Sequence, residues 1–247
     1  MSKFHLSKAP ITEAVLEIRV ISDSEQNIDL LAESFKLEDY PIKESQVQIE
    51  LKGEVSTEGK EPQSLSESAR NIIGWQFRHK TNKQTLRVST TSFGFSRLAP
   101  YENWDSFSGE ARELWCRFSS IVKPSKITRL ALRYINKIDI PGDRLELTDY
   151  FKTYPQISDE ASGDLTGYFM RLISQQRDLE AKCVIHMGSL PSPNSETHST
   201  LLDIDLFRTL EADLDEDLIW EILTKFRDRK NELFVACLTE KTLEMFK

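Results

Sequence analysis

Alternating apolar and polar residues predict that most of this chain forms β-strands. In the stretch "ITEAVLEIRVI" at residues 11–21, Ala14, Leu16 and Ile18 fall on one side and charged residues on the other, which is typical of a half-buried strand. Further strands are predicted at 46–53, 72–80, 84–95, 127–140, 167–174, 180–188 and 199–207. The polar segment 54–70, which contains Gly and Pro, predicts a long loop.

Two long helices are predicted among these strands. At 103–122 apolar residues recur at steps of three and four positions, Asn103 is placed to cap the first turn, and Pro124 is placed to end the helix. Its apolar stripe consists of Trp104, Phe107, Ala111, Leu114, Trp115, Phe118 and Ile121. The C-terminal region predicts a second amphipathic helix. Its stripe consists of Leu214, Leu218, Ile222 and Phe226.

The order of these elements predicts an α+β fold with a largely antiparallel sheet covered by a few helices. Strands outnumber helices, and few neighbouring strands are separated by a helix long enough for a parallel crossover. We expect two β-rich halves, each ending in a long helix. The first spans 1–140 and contains the amphipathic helix 103–122, and the second spans 141–247. A single continuous domain is the alternative.

Composition indicates an ordinary soluble globular protein, with 39% hydrophobic residues, 29% charged residues and a mean hydropathy of −0.43. No apolar run is long enough to span a membrane, and the first fifteen residues lack the apolar core of a secretory signal. We therefore expect a cytoplasmic protein that does not contact membranes. The three cysteines lie far apart beside apolar residues, which favours buried, reduced thiols.

Charge is distributed unevenly along the chain, whose net charge is −8. The segment 75–137 contains twelve Lys and Arg residues against four Asp and Glu residues, a net charge of +8. Such a basic segment indicates a surface that binds phosphate or nucleic acid. The alternative is that its basic strands pair with acidic strands of the same fold.

Motifs that would identify an enzyme are missing. The sequence lacks the nucleotide-binding motifs G-x-x-x-x-G-K-[ST] and G-x-G-x-x-G. It also lacks the G-x-S-x-G motif of serine hydrolases, the H-E-x-x-H motif of zinc proteases and any histidine spacing typical of a zinc site. No catalytic residue can be assigned, and we expect no cofactor. A weak candidate for a metal site is the pair Asp203 and Asp205 on one strand face, with His186 on a nearby strand. Alternating acidic residues on the solvated side of a strand give the same pattern.

A second candidate is the polar face of the first half. If each strand alternates regularly, Arg78, Arg87, Arg129, Arg133 and Lys137 share one side of the sheet with Glu13, Glu17 and Arg19. Arginine is preferred where carboxylates or phosphates are bound in a bidentate manner. The alternative is a solvated face stabilised by pairs of Glu and Arg across strands. Asn136 falls on the opposite, apolar side, where its buried amide is expected to bind a neighbouring loop or helix end.

Three stretches together carry a resemblance to a known family: "APITEAVLEIRV", "YENWDSFSGEARELW" and "ITRLALRYINKIDIP". They resemble a sporadically distributed family of uncharacterised bacterial proteins, with its P-I-x-E-A start at residues 10–14 and its R-Y-I-N strand at 133–136. The resemblance spans most of the chain. The scattered occurrence of the family implies an association with mobile elements, toxin–antitoxin pairs or anti-phage defence, and it implies no activity.

The leading functional hypothesis is a non-enzymatic binding or regulatory module. It would engage a partner protein, or nucleic acid through segment 75–137, by means of the cationic sheet face centred on Arg87, Arg129 and Arg133. One alternative is a metal-dependent hydrolase or nuclease acting on phosphate esters through carboxylates. Those carboxylates would be Glu13, Glu17, Asp203 and Asp205. The other alternative is a structural subunit of a larger complex, which would form a specific oligomer.

Overall fold

The protein is built around a single antiparallel sheet. The computed structural model describes residues 6–22, 28–52, 66–158, 160, 166–213 and 215–247. At 49–52, 66–70 and 211 it describes only the backbone. Within those residues the sheet has nine strands in the order β2-β3-β4-β5-β1-β6-β9-β8-β7. Each neighbouring pair is antiparallel. The strands are β1 (Ile11–Ile21), β2 (Ile42–Lys52), β3 (Ser66–Arg78), β4 (Gln84–Val88), β5 (Ser92–Leu98), β6 (Lys126–Pro141), β7 (Phe169–Gln176), β8 (Ala181–Leu190) and β9 (Thr197–Asp213).

Helices cover one face of this sheet, which we call the helical face. They are α1 (Ile28–Ser34), α2 (Trp104–Val122), α3 (Leu147–Tyr150), α4 (Glu216–Cys237) and α5 (Glu240–Glu244). α2 packs on β5 and α4 packs on β6 and β9, and the apolar sides of the strands form one core beneath them. Of the helices in the described ranges, none has the length and apolar character needed to cross a membrane. The predicted α+β class with an antiparallel sheet is confirmed.

The two predicted halves contribute to the same sheet. β6 from segment 1–140 pairs with β9 from segment 141–247 over nearly its whole length, from Lys126 opposite Asp213 to Pro141 opposite Thr197. The boundary between the halves therefore lies inside a continuous sheet in the described residues. The division of the chain into halves at 1–140 and 141–247 stays a prediction.

The predicted strand 84–95 is wrong, because the chain reverses direction within it. β4 ends at Val88 and β5 begins at Ser92, and the backbone N–H of Ser89 donates to the Ser92 carbonyl at 2.9 Å. The Ser89 hydroxyl also accepts from the Thr91 N–H at 3.2 Å, a side-chain turn that competes with strand geometry. A local signal existed: apolar residues occupy even positions up to Val88 and odd positions from Phe93.

The predicted loop 54–70 is also partly wrong, because β3 already begins at Ser66. That strand pairs with β2 from Ser66 opposite Lys52 onwards. Residues 54–65 of the predicted loop lie outside the described residues.

The predicted helix 103–122 is confirmed with its caps. The Asn103 side chain accepts from the Ser106 N–H at 2.8 Å, and Lys123 ends α2 in the left-handed conformation at a φ of 47°. Phe107, Trp115 and Phe118 are fully buried against the sheet. Cys116 is exposed, contrary to the prediction of buried thiols, because it follows Trp115 by about 100° around the helix and so leaves the apolar stripe.

The C-terminal helix forms as predicted, but its buried stripe differs. α4 begins after Asp215, whose side chain accepts from the Leu218 N–H at 3.1 Å. This position at the helix start leaves Leu218 only half-buried, and Leu214 lies outside the described residues. The residues that α4 buries are Ile219, Trp220, Ile222, Leu223, Phe226, Lys230, Phe234 and Cys237.

Gly74 lies in β3 beside the shift in register between β2 and β3, and it provides a test of this packing. A Cβ atom there would lie 2.6 Å from Gln46 Oε1 and 2.8 Å from the backbone oxygen of Val88. The glutamine can rotate away but the carbonyl cannot. We expect Gly74→Ala to lower the free energy of unfolding by about 1–3 kcal/mol in urea titrations.

A matched control for that substitution is Gly94→Ala in β5. The nearest atoms to a Cβ at Gly94 lie 3.7 Å away, which is ordinary contact. We expect Gly94→Ala to leave stability unchanged or slightly raised. Equal effects of the two substitutions would show that the close approach at Gly74 does not constrain the fold.

Candidate binding surface on the open face of the sheet

The face opposite the helices, which we call the open face, carries all five predicted binding residues. Antiparallel pairing places directly opposed residues on the same side of a sheet. Arg133 lies opposite Val15 on β1 and Asp205 on β9, and Arg87 lies opposite Gly94 on β5. The same alternation puts Arg78, Arg129 and Lys137 on this side. The sheet therefore brings together polar residues from both predicted halves.

A shallow depression of about 410 Å³ lies in the middle of the open face. Its residues are Val15, Leu16, Glu17, Arg19, Gln46, Arg87, Ser92, Gly94, Arg129, Ala131, Arg133 and Asp205. Gly94 on β5 and Ala131 on β6 both lie opposite Glu17 of β1, and Val15 is the neighbouring β1 residue on the same face. These three short side chains leave room between longer ones. Three of the predicted binding residues, Arg87, Arg129 and Arg133, are among its walls.

The other two predicted residues lie outside the depression and are engaged elsewhere. Arg78 donates to Glu44 at 2.6 Å, and Lys137 lies 3.1 Å from the Asp139 carboxylate. Both pairs are solvent-exposed, so each contributes little to stability. The structure therefore separates the predicted set into three residues at one site and two beside it.

Glu17 binds two of the arginines that line the depression. It accepts from Arg19 Nε at 2.9 Å and from Arg129 Nη1. The Arg129 guanidinium also stacks 4.7 Å from the centre of the Phe207 ring and lies 4.0 Å from Asp205. Burial raises the pKa of Asp205, and the nearby arginines oppose that rise. Part of the positive charge predicted for this face is thus neutralised within the fold.

Arg133 forms a bidentate ion pair on the open face. Its Nε and Nη2 donate to Oδ1 and Oδ2 of Asp203 at 2.8 and 2.7 Å, and His186 Nδ1 lies 3.1 Å from Asp203 Oδ2. Asp203 is only 1% exposed, so three hydrogen bonds compensate a carboxylate removed from water. The sequence predicted each of these residues as a candidate but did not predict that they bind one another, because the register of β6 against β9 is not visible locally.

Asp203, Asp205 and His186, the weak candidates for a metal site, do not come together as a set of metal ligands. His186 and Asp203 do meet, but both oxygens of Asp203 already accept from Arg133. Asp205 faces Arg129 instead. Across the part of the chain that the structure describes, no group of three or more His, Cys, Asp or Glu side chains could hold a metal ion. The arginines occupy the positions from which a cation would bind these carboxylates.

Arg87 differs from the other arginines of the depression. Its Nε donates to Gln76 Oε1 at 2.9 Å, and Gln76 is held in turn by Glu44, which accepts from Gln76 Nε2 at 3.1 Å. Arg87 forms no ion pair with any residue in the described ranges. Its side chain is exposed, and none of the described residues accepts a hydrogen bond from its two terminal nitrogens, which could bind an oxyanion.

The basic segment 75–137 does not form one surface. Arg97 points to the helical face, where it is 5% exposed and paired with Glu110 of α2. Arg112 lies on α2 and stacks 4.6 Å from the ring of Trp220 on α4. The net charge of the segment is therefore divided between both faces of the sheet, and part of it pairs with acidic residues of β1 and β9.

Asn136 is buried on the helical face, as its position in the alternation predicts. Its side-chain amide donates to the carbonyl oxygen of Leu202 at 2.8 Å. Leu202 lies directly opposite on β9. The predicted contact with a loop or helix end is therefore wrong: the buried amide binds the neighbouring strand, and it also lies 3.4 Å from the Tyr134 carbonyl oxygen on its own strand.

Comparison with known proteins adds no further assignment: no family model matches this chain, and no curated protein matches it. The resemblance based on residues 10–14 and 133–136 therefore stays a prediction. The open face with its central depression is the site on which a function can be argued.

Proposed function

We propose that this protein is a non-enzymatic binding module that holds a segment of a partner protein in the depression on its open face. The observation that carries this proposal is the depression itself. It combines a floor of small residues with arginine walls, on a sheet face that none of the described helices covers. Binding surfaces for peptides combine apolar floors with a few placed polar groups in this manner.

Arg87 is the residue that we expect to bind a carboxylate of the partner. Arg129 and Arg133 already donate to Glu17 and Asp203, so a ligand would have to displace those carboxylates. Arg87 is oriented by a neutral glutamine instead. A carboxylate bound by its terminal nitrogens would lie over Gly94, which faces Arg87 across β4 and β5.

A protein partner fits this face better than nucleic acid does. Nucleic-acid affinity comes largely from cations that neutralise phosphates, whereas Glu17, Asp203 and Asp205 are interleaved with the arginines here. A polyphosphate backbone laid across the face would meet these carboxylates. A protein segment can present cations and carboxylates in a matching order. Membership of a defence or toxin–antitoxin system rests on the family resemblance alone.

The test uses two substitutions that leave the internal ion pairs intact. Gly94→Val fills the floor, and Arg87→Ala removes the available guanidinium. We expect Arg87→Ala to weaken partner binding by about 10- to 100-fold, because a charge-assisted hydrogen bond is worth roughly 1.5–3 kcal/mol. Gly94→Val should also weaken it, because the added side chain occupies the volume that the bound segment would fill. Lys225→Ala on α4 removes an exposed cation far from the open face and serves as the control.

The measurement is affinity capture with tagged wild-type and variant proteins, followed by titration of the captured partner across a salt series. Short single-stranded and duplex oligonucleotides are titrated in parallel. Partner binding that is equal for wild type, Gly94→Val and Arg87→Ala would contradict the proposal. Tight, salt-dependent binding of oligonucleotides that is lost in Arg87→Ala would replace the protein partner with nucleic acid.

A further inference from the structure

The two edges of the sheet are built differently. β2, at one edge, carries four charged residues, Lys43, Glu44, Glu50 and Lys52, and its register against β3 shifts twice. Charges and irregularities of this kind protect an edge strand from pairing with other chains. β7, at the other edge, carries only one charged residue, Arg171, and pairs with β8 without a shift. The β7 edge lacks these protections.

Large apolar side chains are exposed on both sides of β7. Phe169 is 68% exposed and Ile173 is 57% exposed on the open face, while Leu172 is 43% exposed on the helical face. β7 is terminal in the strand order, so in the described residues its outer backbone N–H and C=O groups have no strand partner. Such backbone groups are hydrogen-bonded when another β-strand is added to the edge of the sheet.

We propose that β7 pairs with the β7 strand of a second copy of this chain, antiparallel about a twofold axis at Leu172. The inference goes beyond the proposed function and does not depend on it. An axis perpendicular to the sheet keeps the two open faces on the same side, and it passes midway between the two copies of one residue, which then lie opposite each other. Two nine-stranded sheets would join into one continuous sheet.

The sequence of β7 suits an axis at Leu172. On the helical face, Leu172 meets Leu172 of the second copy, and Met170 lies opposite Ser174. On the open face, Arg171 lies opposite Ile173, so no two cations face each other. Phe169 then lies diagonal to Ile173 of the second copy, within reach of an aromatic ring. An axis at Arg171 would instead place two guanidinium groups in contact.

The first test is the oligomeric state of the full chain measured by analytical ultracentrifugation. We expect a dimer for the wild type. Leu172→Lys should raise the dimer dissociation constant by roughly 100-fold or more, because like charges juxtaposed in an interface cost several kcal/mol. Ile73→Lys on β3 replaces a residue of similar exposure, 46%, and should leave the dimer intact.

The second test is disulfide trapping, which reports the register and does not depend on the dimer surviving a charge. In a Cys116→Ser background, which removes the exposed native thiol, Leu172→Cys should cross-link two chains on oxidation. Residues opposite each other across strands have Cβ atoms about 5 Å apart. Gln175→Cys is the control, since two copies of that residue would be roughly 20 Å apart.

Three outcomes would overturn the proposal. One is a monomeric wild type throughout the concentration range of the experiment, which would leave the edge to a different strand. Another is a dimer that Leu172→Lys does not weaken. The last is cross-linking of Gln175→Cys that equals or exceeds that of Leu172→Cys.

Discussion

Replacing Lys230 with methionine is expected to raise the free energy of unfolding at pH 7 by on the order of 3–4 kcal/mol. Lys230 lies in the buried stripe of α4 and is 7% exposed. Burial, and to a smaller extent the positive charge of Arg227, lower its pKa from 10.5 to about 7. Methionine is an unbranched apolar side chain only one heavy atom shorter than lysine, and it lacks the amine that folding must desolvate.

One favourable contact partly compensates the buried amine. Lys230 Nζ lies 3.9 Å from the centre of the Tyr134 ring, and an ammonium over an aromatic face gains about 0.5–2 kcal/mol. Lowering the pKa from 10.5 to about 7 corresponds to a free-energy cost for the charged form that is larger than this gain, because each pKa unit is worth about 1.4 kcal/mol. Desolvation therefore outweighs the ring contact.

The pH dependence of stability identifies the amine as the cause. Between pH 7 and 10.5 the unfolded chain holds a proton on Lys230 that the folded chain has lost. More protons on the unfolded state mean that stability rises with pH. Cys183 and Cys237, whose pKa values burial raises, contribute an opposite slope to both proteins. We therefore expect the stability advantage of Lys230→Met over the wild type, measured in urea titrations, to shrink as the pH rises from 7 to 10.5.

Lys225→Met on the same helix is the matched control for Lys230→Met. Lys225 is exposed and paired with Glu221 at 2.6 Å, so its replacement should change stability by under about 0.5 kcal/mol. If Lys230→Met were no more stable than the wild type at pH 7, the amine would be solvated in the folded protein. A wild-type pH profile that matches that of Lys230→Met would lead to the same conclusion.

Asp203→Asn is expected to lower the free energy of unfolding by about 2–3 kcal/mol. The amide that replaces one carboxylate oxygen would point a donor at Arg133 or at His186, both of which hydrogen-bond to the carboxylate in the wild type. Arg133 has 45% of its side chain exposed, so water can solvate it after the change. That exposure keeps the expected cost below that of a fully buried ion pair.

Asp205→Asn provides a control on the same strand and the same face. Its nearest cation, Arg129, is 4.0 Å away, and burial already disfavours its charged form. We therefore expect thermal and urea unfolding to show a cost under about 1 kcal/mol for Asp205→Asn. Equal costs for the two substitutions would mean that the bidentate pair between Arg133 and Asp203 does not order the open face.

Local patterns in the sequence predicted the two faces of most strands correctly. Side chains alternate strictly along a strand, so Arg129 and Arg133 had to lie on the other face of the sheet from Leu130 and Leu132 once the strand was identified. α2 was predicted with its cap, because helix periodicity and capping are also local. The same reasoning gives a wrong result at Ser89: it predicts one strand over 84–95, whereas a turn of three residues, 89–91, separates β4 from β5.

Pairing partners could not be predicted in this way. Which residue of β9 faces Arg133 depends on the register of two strands about 70 positions apart, and a shift of two residues keeps every side chain on the same face of the sheet. Only the folded sheet shows that Arg133 binds Asp203 while Arg129 is nearer to Asp205. It also shows that Arg87 is left without a carboxylate among the described residues.

The sequence by itself determined the class of fold, the sides of the strands and the position of α2, because each depends on a period of two or 3.6 residues. The tertiary structure decided which charges neutralise one another, where the open face is concave and which sheet edge lacks protection. These features depend on contacts between distant segments. Lys230 shows the difference most clearly: its letter lies in a charged helix segment, and only the packing of α4 on Tyr134 makes it a buried amine.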